Sequence, residues 1–206
     1  MAVVVGIFAL VGATSLISAN AISQSSKAQA ALAKSLAAQS VPVKPVISSV
    51  PGIWLTGDSV ILGIRYELEQ RERIGLINAR VGRQAGELIT VIRHDLAAMS
   101  NSPIVLDLGN NNKLTETEVA TIFELIKNQP QIIIVNTAVP RGWRDDNDAL
   151  IAQYARKYSQ ASLVDWKKIS DGHPEYFGPD GVHLVPAGIT AYVNAIVEKI
   201  HSPDIK

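Results

Sequence analysis

Short apolar runs alternate along residues 51–206 with longer segments whose apolar residues recur at helical spacing. The runs are apolar at consecutive positions, which is typical of strands covered on both faces. Strands of this kind, joined by helices, form a parallel sheet with helices packed on both sides. We therefore predict an α/β domain over residues 51–206, with three α/β/α layers and a five-stranded parallel sheet. Ligands should bind at the carboxyl ends of its strands.

The predicted elements follow one another in a regular order. Apolar runs predict strands at residues 53–56, 76–79, 103–108, 131–136 and 162–166. Helical spacing predicts helices at residues 60–73, 86–99, 115–127, 147–158 and 186–200. Thr115 and Glu118 form a capping-box pattern at the start of the third helix. Hydrophobic residues make up 47% of the chain, which supplies a sizeable core.

Residues 1–22 form an apolar segment, and the first charged side chain is that of Lys27. Because about 20 apolar residues span a bilayer as a helix, we predict a single transmembrane anchor, or the last helix of a larger membrane protein. A signal segment is the alternative, since Ala19-Asn20-Ala21 offers a small-residue cleavage pattern, although the usual positive charges are missing before it. A buried core helix is less favoured, because nothing amphipathic marks the segment.

Residues 23–50 predict a tether between the apolar segment and the α/β domain. They are rich in Ala, Ser, Gln and Pro and contain Lys27, Lys34 and Lys44 but no acid. Prolines stiffen such a linker. The lysines favour a cytoplasmic position by the positive-inside rule, but three charges spread over so long a segment are a weak indication.

Net charge and cysteine content exclude several classes of function. The formal net charge is zero, so the basic surface of a nucleic-acid-binding protein is not expected. The chain has no cysteine, which excludes disulfides, thiolate metal sites and a cysteine nucleophile. Only His173 lies near His183 in the sequence, which is too few ligands for a metal site. We expect neither a metal nor a cofactor.

Two polar segments follow predicted strands and could carry chemistry. Gly57-Asp58-Ser59 places a serine on the turn between the first strand and the first helix, where backbone N–H groups can stabilise an oxyanion. An ordinary helix cap is the alternative, because Asp and Ser prefer such positions. Gly109-Asn110-Asn111-Asn112 follows the third strand and offers a side-chain amide to the same oxyanion. An Asn-rich turn is the alternative there.

A third polar segment contains Asp180 and His183, just before the last predicted helix. A serine hydroxyl becomes a good nucleophile when a base removes its proton, and histidine is the usual base. A carboxylate fixes the tautomer of the imidazole and stabilises the imidazolium. A solvated aspartate beside an incidental histidine is the alternative. None of the three segments outweighs its alternative alone.

These segments resemble the sequence blocks of the SGNH (GDSL-like) hydrolase superfamily. The family pattern is a GDS-type turn, a glycine after the second strand, a G-x-N loop and a D-x-x-H pair. Here the blocks stand in family order as Gly57-Asp58-Ser59, Gly82, Gly109-Asn110-Asn111 and Asp180-Gly181-Val182-His183. The resemblance implies a flavodoxin-like SGNH fold with a Ser59–His183–Asp180 triad. It also implies an oxyanion hole formed by the backbone of Ser59 and Gly82 and the amide of Asn111.

The flanking sequences narrow the resemblance. Residues 79–84, 108–112, 163–166 and 173–184 look like the extracytoplasmic domain of bacterial peptidoglycan O-acetyltransferases of the OatA type. This implies a serine O-acyltransferase that moves acetyl through Ser59 to a hydroxyl of a cell-wall glycan, with peptidoglycan as acceptor. It implies an acyl donor supplied by a separate acyltransferase-3-type membrane protein. It further implies a single-pass protein of the cell membrane with an extracytoplasmic catalytic domain.

Two other functions stay open at this point. An SGNH carbohydrate or lipid esterase would use the same acyl-enzyme with water as acceptor. Asn112 stands where many esterases of the family have Asp, which argues mildly against that branch. A catalytically silent cell-wall-binding module is the other possibility, since a fold does not fix a function. The candidate substrate-binding residues are Arg83, Gln84, Trp143 and His173, and packing is the alternative role for Trp143 and His173.

Overall fold

The computed structural model describes residues 52–204. The predicted anchor at residues 1–22 and the predicted tether at residues 23–50 therefore lie outside the described residues. Within residues 52–204, no helix combines the length and apolar character that a bilayer crossing requires.

Five strands form one parallel sheet in the order β2-β1-β3-β4-β5. The strands are β1 (Ile53–Gly57), β2 (Ile74–Ala79), β3 (Ile104–Asp107), β4 (Ile132–Val135) and β5 (Ala161–Val164). This is the strand order of flavodoxin-like sheets, in which the direction of winding reverses between β1 and β3. The predicted five-stranded parallel sheet is confirmed, and ligands of such sheets bind at the carboxyl ends near the reversal.

Helices cover both faces of the sheet, which confirms the three predicted layers. The helices are α1 (Ser59–Glu69), α2 (Ala85–Asp95), α3 (Glu116–Ile126), α4 (Arg144–Lys157), the short α5 (Trp166–Ile169), a 3-10 turn (Pro174–Tyr176) and α6 (Pro186–His201). Helices α1 and α6 contribute to one hydrophobic core, and helices α2, α3 and α4 contribute to the other. The sheet lies between the two cores.

The strands fill both cores because successive strand side chains point to opposite faces. Leu55 of β1 and Val105 of β3 belong to the core with α1 and α6. Their neighbours Trp54 and Leu106 belong to the core with α2, α3 and α4. All four side chains are fully buried. Burial on both faces explains why the strands are apolar at consecutive positions.

The structure agrees with the sequence prediction at the start of α3 and differs from it at the start of α5. The capping box at Thr115 is confirmed, since its Oγ1 accepts from Glu118 N at 3.2 Å and its N donates to Glu118 Oε2 at 2.9 Å. The predicted fifth strand is wrong at its end. Asp165 Oδ1 accepts from Lys168 N at 3.2 Å and caps a helix that begins at Trp166.

Candidate active site

The turn between β1 and α1 combines a helix cap with Ser59, the predicted nucleophile. Asp58 is the N-cap residue, and its Oδ1 accepts from Val60 N at 2.9 Å. Ser59 is the first residue of α1 and is only 4% exposed. Glycine is required before them, since a Cβ on Gly57 would lie 2.8 Å from the carbonyl oxygen of Asp107. The cap that the sequence left as an alternative is therefore present beside the serine.

The loop before α6 is folded around the Asp180 carboxylate. Its Oδ1 accepts from Val182 N at 2.9 Å and from His183 N at 3.0 Å. The carbonyl of His183 accepts from Gly178 N at 2.7 Å, which closes the loop. Helix α6 packs closely against the 3-10 turn before the loop, because a Cβ on Gly188 would lie 2.1 Å from the carbonyl oxygen of Tyr176. Both ends of the loop are thus held by the fold.

The structure brings Ser59, His183 and Asp180 into one hydrogen-bonded chain. Ser59 Oγ lies 3.0 Å from His183 Nε2, and His183 Nδ1 lies 2.6 Å from Asp180 Oδ2. Burial works to raise the pKa of Asp180, but hydrogen bonds from the His183 ring and from the backbone of Val182 and His183 prevail and lower this pKa. Asp180 is therefore held as a carboxylate beside the imidazole.

The loop at residues 109–112, after β3, is called the asparagine loop, and the turn at residues 57–59 is called the serine turn. The two are joined by hydrogen bonds to Asp58. Asn111 Nδ2 donates to Asp58 Oδ2 at 2.7 Å and, over a longer 3.3 Å, to the carbonyl of Arg83. Asn110 Nδ2 donates to the same Asp58 oxygen at 3.1 Å. Gly82 lies exposed in the loop after β2, with a positive φ of 71°. The loops that carry Gly82 and Asn111 therefore both border the turn that carries Ser59.

Asn147 of α4 is a supporting residue that the sequence reasoning missed. It is buried, and its Nδ2 donates to the carbonyls of Gly109 and Asn112, each at 2.9 Å. Its Oδ1 accepts from Leu114 N at 2.8 Å. Trp143 Nε1 also donates to the Gly109 carbonyl, at 3.2 Å. The indole N–H of Trp143, a predicted substrate-binding residue, thus helps to hold the asparagine loop.

A second missed group lies beneath the serine turn. Asp107 ends β3, and its Oδ1 accepts from Asn110 Nδ2 at 2.9 Å. Its Oδ2 accepts from the hydroxyl of Tyr192, on α6, at 2.8 Å. Burial, and the nearby negative charge of Asp58, raise the pKa of Asp107 well above its ordinary value. Only the position of Asp107 at a strand end could have pointed to it in the sequence.

Arg83 and Gln84 support the fold at the carboxyl ends of β1 and β2. The Arg83 guanidinium donates to the carbonyl of Gly57 at 3.1 Å and to the carbonyl and side chain of Asn78 at 2.5 and 3.0 Å. Gln84 is the exposed N-cap residue of α2, and its N donates to Glu87 Oε2 at 3.0 Å. The Arg83 side chain is therefore directed at strand ends, and its contact with substrate stays a prediction.

His173 lies at a cleft beside the candidate active site. Its ring stacks on Tyr176 with centroids 4.5 Å apart, and its Nδ1 lies 2.7 Å from Glu175 Oε1. The cleft has a volume of about 700 Å³ and follows the carboxyl ends of β4 and β5. It is lined by Ala138, Arg144, Asp165, Lys167, Lys168, Ser170, Asp171, Gly172, His173, Pro174 and Phe177.

The cleft does not reach Ser59, but it borders the core of the site. Ala138 and Phe177 also line a small cavity whose other walls include Val60, Asp107 and Asn110. Phe177 pairs with Leu184, the residue after His183, in an antiparallel bridge. The cleft and the Ser59 site therefore lie along the same edge of the sheet, as expected of a doubly wound fold.

Comparison with known proteins gives sequence relatives for this chain. No family model matches the sequence. The chain is 32% identical to the Bacillus subtilis protein YrhL over 165 residues, which are 80% of this chain and 26% of YrhL. It is 38% identical to the peptidoglycan O-acetyltransferase OatA of Listeria monocytogenes over 138 residues, 66% of this chain and 22% of OatA. The chain spans about a quarter of the length of the curated relatives it matches.

Solved structures share the fold. The C-terminal catalytic domain of Streptococcus pneumoniae OatA, determined with a methylsulfonyl adduct, superposes with a TM-score of 0.61 at 21% identity, covering 74% of this chain and 94% of that domain. A GDSL-like lipase from Bacteroides thetaiotaomicron superposes with a TM-score of 0.59 at 19% identity, covering 72% and 87%. In its fold and in these relatives, the chain is similar to OatA-type peptidoglycan O-acetyltransferases, and it shares its fold with a GDSL-like lipase.

Proposed function

We propose that the chain is a serine-dependent O-acyltransferase that moves acetyl through a Ser59 acyl-enzyme to a glycan hydroxyl of peptidoglycan. The observation that carries this proposal is the hydrogen-bonded chain from Ser59 Oγ through His183 to Asp180. Its position at the carboxyl edge of the sheet supports the proposal, because that edge binds ligands in this fold. The similarity to OatA of Listeria monocytogenes supports acetyl transfer to peptidoglycan.

In the first step, Ser59 takes the acetyl group from a donor. His183 Nε2 accepts the hydroxyl proton as Ser59 Oγ attacks the carbonyl carbon of the donor. His183 then carries a positive charge, which the Asp180 carboxylate stabilises across the 2.6 Å contact. The tetrahedral intermediate collapses as its bond to the donor oxygen breaks, and His183 gives the proton to that leaving oxygen. The products of this step are acetyl-Ser59 and the free donor alcohol.

The negative charge on the carbonyl oxygen needs donors that are already in position. We assign this role to the backbone N–H groups of Ser59 and Gly82 and to the side-chain amide of Asn111. The N–H of Ser59 belongs to the first turn of α1, where backbone donors are not used by the helix itself. Asn111 holds Asp58 with its short 2.7 Å bond, and the hydrogen in the longer 3.3 Å contact is the one available to the oxyanion.

In the second step, the acceptor hydroxyl replaces the donor. His183 removes the proton of the sugar hydroxyl, whose oxygen attacks the acetyl carbonyl, and Ser59 leaves with that proton. We place the rest of the glycan in the cleft after β4 and β5, where the ring of His173, held by stacking on Tyr176, offers a flat face to a sugar. Arg144 and Lys168 on the cleft wall offer donors to glycan oxygens.

The surroundings of the enzyme are part of the proposal. The acyl donor would be delivered by a separate acyltransferase-3-type membrane protein, and residues 1–22 would anchor the chain in the cell membrane with its domain on the extracytoplasmic side. The apolar composition of residues 1–22 and the similarity to OatA support this arrangement. Neither a metal nor a cofactor takes part in the proposed steps.

Transfer and hydrolysis are separated by adding an acceptor. The purified chain is incubated with an activated acetyl ester, with and without muropeptide oligomers, and Ser59→Ala serves as control. We expect O-acetylated muropeptides and less free acetate when the acceptor is present, and neither product from Ser59→Ala. Free acetate alone in the presence of acceptor would instead establish an SGNH esterase. Turnover that persists in Ser59→Ala would contradict both functions.

A further inference from the structure

A buried hydrogen-bond network connects three elements beneath Ser59. Tyr192 on α6 donates to Asp107 at the end of β3, and Asn110 donates to Asp107 and to Asp58 at the start of α1. The exposed fractions are 1% for Tyr192 and 2% for both acids. No step proposed above uses Asp107, Asn110 or Tyr192. The presence of these buried polar groups beneath Ser59 therefore needs a separate explanation.

The Asn110 side chain is the centre of this network. Its amide nitrogen lies 3.1 Å from Asp58 Oδ2 and 2.9 Å from Asp107 Oδ1, so its two hydrogens join two acids. The Asp58 carboxyl in turn accepts from Val60 N and from Asn111. The orientation of Asn110 therefore fixes the acid that caps α1 and holds the proposed oxyanion amide.

Two buried acids so close together are costly unless they are neutralised or fully hydrogen-bonded. Asp58 accepts three hydrogen bonds, which suits a carboxylate. Asp107 accepts two and faces the negative charge of Asp58. Burial, together with that charge, raises the pKa of Asp107 well above its ordinary value. An energetically expensive arrangement that adjoins a nucleophile is characteristic of functional sites.

Tyr192 links α6 to the hydrogen-bond network beneath Ser59. Helix α6 begins at Pro186, directly after the loop that holds Asp180 and His183. Its Tyr192 packs edge-on against Trp166 with ring centroids 4.8 Å apart, so the hydroxyl is held rigidly. A single hydrogen bond from this hydroxyl thus joins the helix after the histidine loop to the strand that precedes the asparagine loop.

We propose that Asp107 and Tyr192 are positioning residues that set the alignment of Ser59 and of the oxyanion donors by holding Asn110. They do so without touching the substrate, by fixing Asn110 against the Asp58 cap. The kinetic consequence of this role rests on the proposed Ser59 acyl-enzyme. The structural consequence, an ordered turn at residues 57–61 and an ordered loop at residues 107–111, does not depend on any activity.

The test compares four variants of the full 206-residue chain. Tyr192→Phe removes the hydroxyl, Asp107→Ala removes both acceptors, and Asp107→Asn keeps the shape and one acceptor. Tyr154→Phe is the matched control, because Tyr154 is a buried tyrosine in the opposite core, packed against Phe123. Steady-state hydrolysis of an activated acetyl ester gives kcat and KM, at a temperature where circular dichroism finds every variant folded. Hydrogen–deuterium exchange with mass spectrometry follows peptides covering residues 57–61 and 107–111.

We expect Tyr192→Phe to lower kcat about tenfold and Asp107→Ala about tenfold to a hundredfold, because small misplacements of reacting groups are that costly. The KM should stay within about twofold, since the substrate is not touched. Asp107→Asn should stay within about threefold of the wild-type kcat, and Tyr154→Phe should be unchanged. Amide exchange at residues 57–61 and 107–111 should be faster in Tyr192→Phe and in Asp107→Ala only.

The inference is overturned if Tyr192→Phe matches Tyr154→Phe in kcat and in amide exchange. It is also overturned if Tyr192→Phe lowers only the melting temperature, since that is what a purely structural contact would do. A wild-type chain that neither hydrolyses the ester nor forms acetyl-Ser59 counts against the proposed function instead. The exchange comparison then decides the network, because it needs no turnover.

Discussion

Asp180 uses its two carboxylate oxygens for different purposes. Oδ1 accepts two backbone N–H groups and shapes the loop, while Oδ2 lies 2.6 Å from the ring of His183. This division explains how an Asp and a His three residues apart can form a hydrogen-bonded pair within one loop. Replacing the carboxylate with an amide should therefore disturb the chemistry more than the fold.

Asp180→Asn should lower kcat by about 10³- to 10⁴-fold, because an amide favours the wrong imidazole tautomer and does not stabilise the imidazolium. The measurement is steady-state hydrolysis of an activated acetyl ester, with circular dichroism to verify the fold. Asp146→Asn is the control, since Asp146 is an exposed partner of Lys113. A kcat for Asp180→Asn within about threefold of the Asp146→Asn value would exclude Asp180 from catalysis.

At the residue scale, the sequence predicted those side chains whose candidate role follows from residue type and from neighbouring residues in the chain. Ser59 follows a strand, and Asp180 and His183 lie in one loop, so spacing and residue type made them candidate site residues. Asn147 and Tyr192 were missed because their partners lie 38 and 85 residues away along the chain. Each looks like an ordinary residue of an amphipathic helix until the fold brings its partner close.

At the scale of elements, the start of α4 supports the asparagine loop. Asn147 makes hydrogen bonds to backbone groups of Gly109, Asn112 and Leu114, and those to Gly109 and Leu114 are buried. Sequence periodicity placed this helix at residues 147–158, whereas it begins at Arg144. Periodicity detects the buried side of a helix and not its polar first turn, which here carries Asp145 and Asp146 near the positive end of the helix dipole.

Asn147→Ala should destabilise the chain by about 2–3 kcal/mol, since it removes three hydrogen bonds and leaves the buried N–H of Leu114 without this partner. It should also lower kcat, because the loop that carries Asn111 loses its support. Urea unfolding followed by circular dichroism measures the first effect, and ester hydrolysis the second. Gln153→Ala is the control on the exposed side of the same helix and should change stability by less than about 0.5 kcal/mol. Equal stability of the two variants would disprove the supporting role.

At the scale of the whole molecule, the layer order was predictable and the charge distribution inside it was not. Strands apolar on both faces require helices on both sides, so the three layers followed from composition and alternation. The placement of Asp58 and Asp107 in one buried network depends on three elements meeting under the serine turn. No local sequence pattern predicts that these three elements contact one another.

The buried acids should make stability depend on pH in a defined direction. The raised pKa of Asp107 means that the folded chain holds a proton that the unfolded chain releases near the ordinary value of 3.8. Stability is therefore lost as pH rises from about 3.8 towards the folded pKa. Tyr192 and Asp58 are the other titratable groups of this network. The pKa of Asp58 is raised as well, chiefly by burial.

Asp107→Asn cannot ionise, so it should gain stability relative to wild type as pH rises from about 4 to about 7. Urea unfolding of both chains at several pH values measures this difference, and contributions from groups outside the network cancel in the comparison. A difference that is constant with pH would mean that Asp107 is ionised in the folded chain.

The most direct measurement is the mass of the peptide that carries Ser59 after brief reaction with an activated acetyl ester and acid quenching. The acyl-enzyme mechanism predicts one added acetyl group on Ser59 in the wild-type chain and none at this position in Ser59→Ala or His183→Ala, because His183 must remove the proton of the hydroxyl. Consumption of the ester with acetyl found on another residue, or with Ser59 never acetylated, would contradict the mechanism.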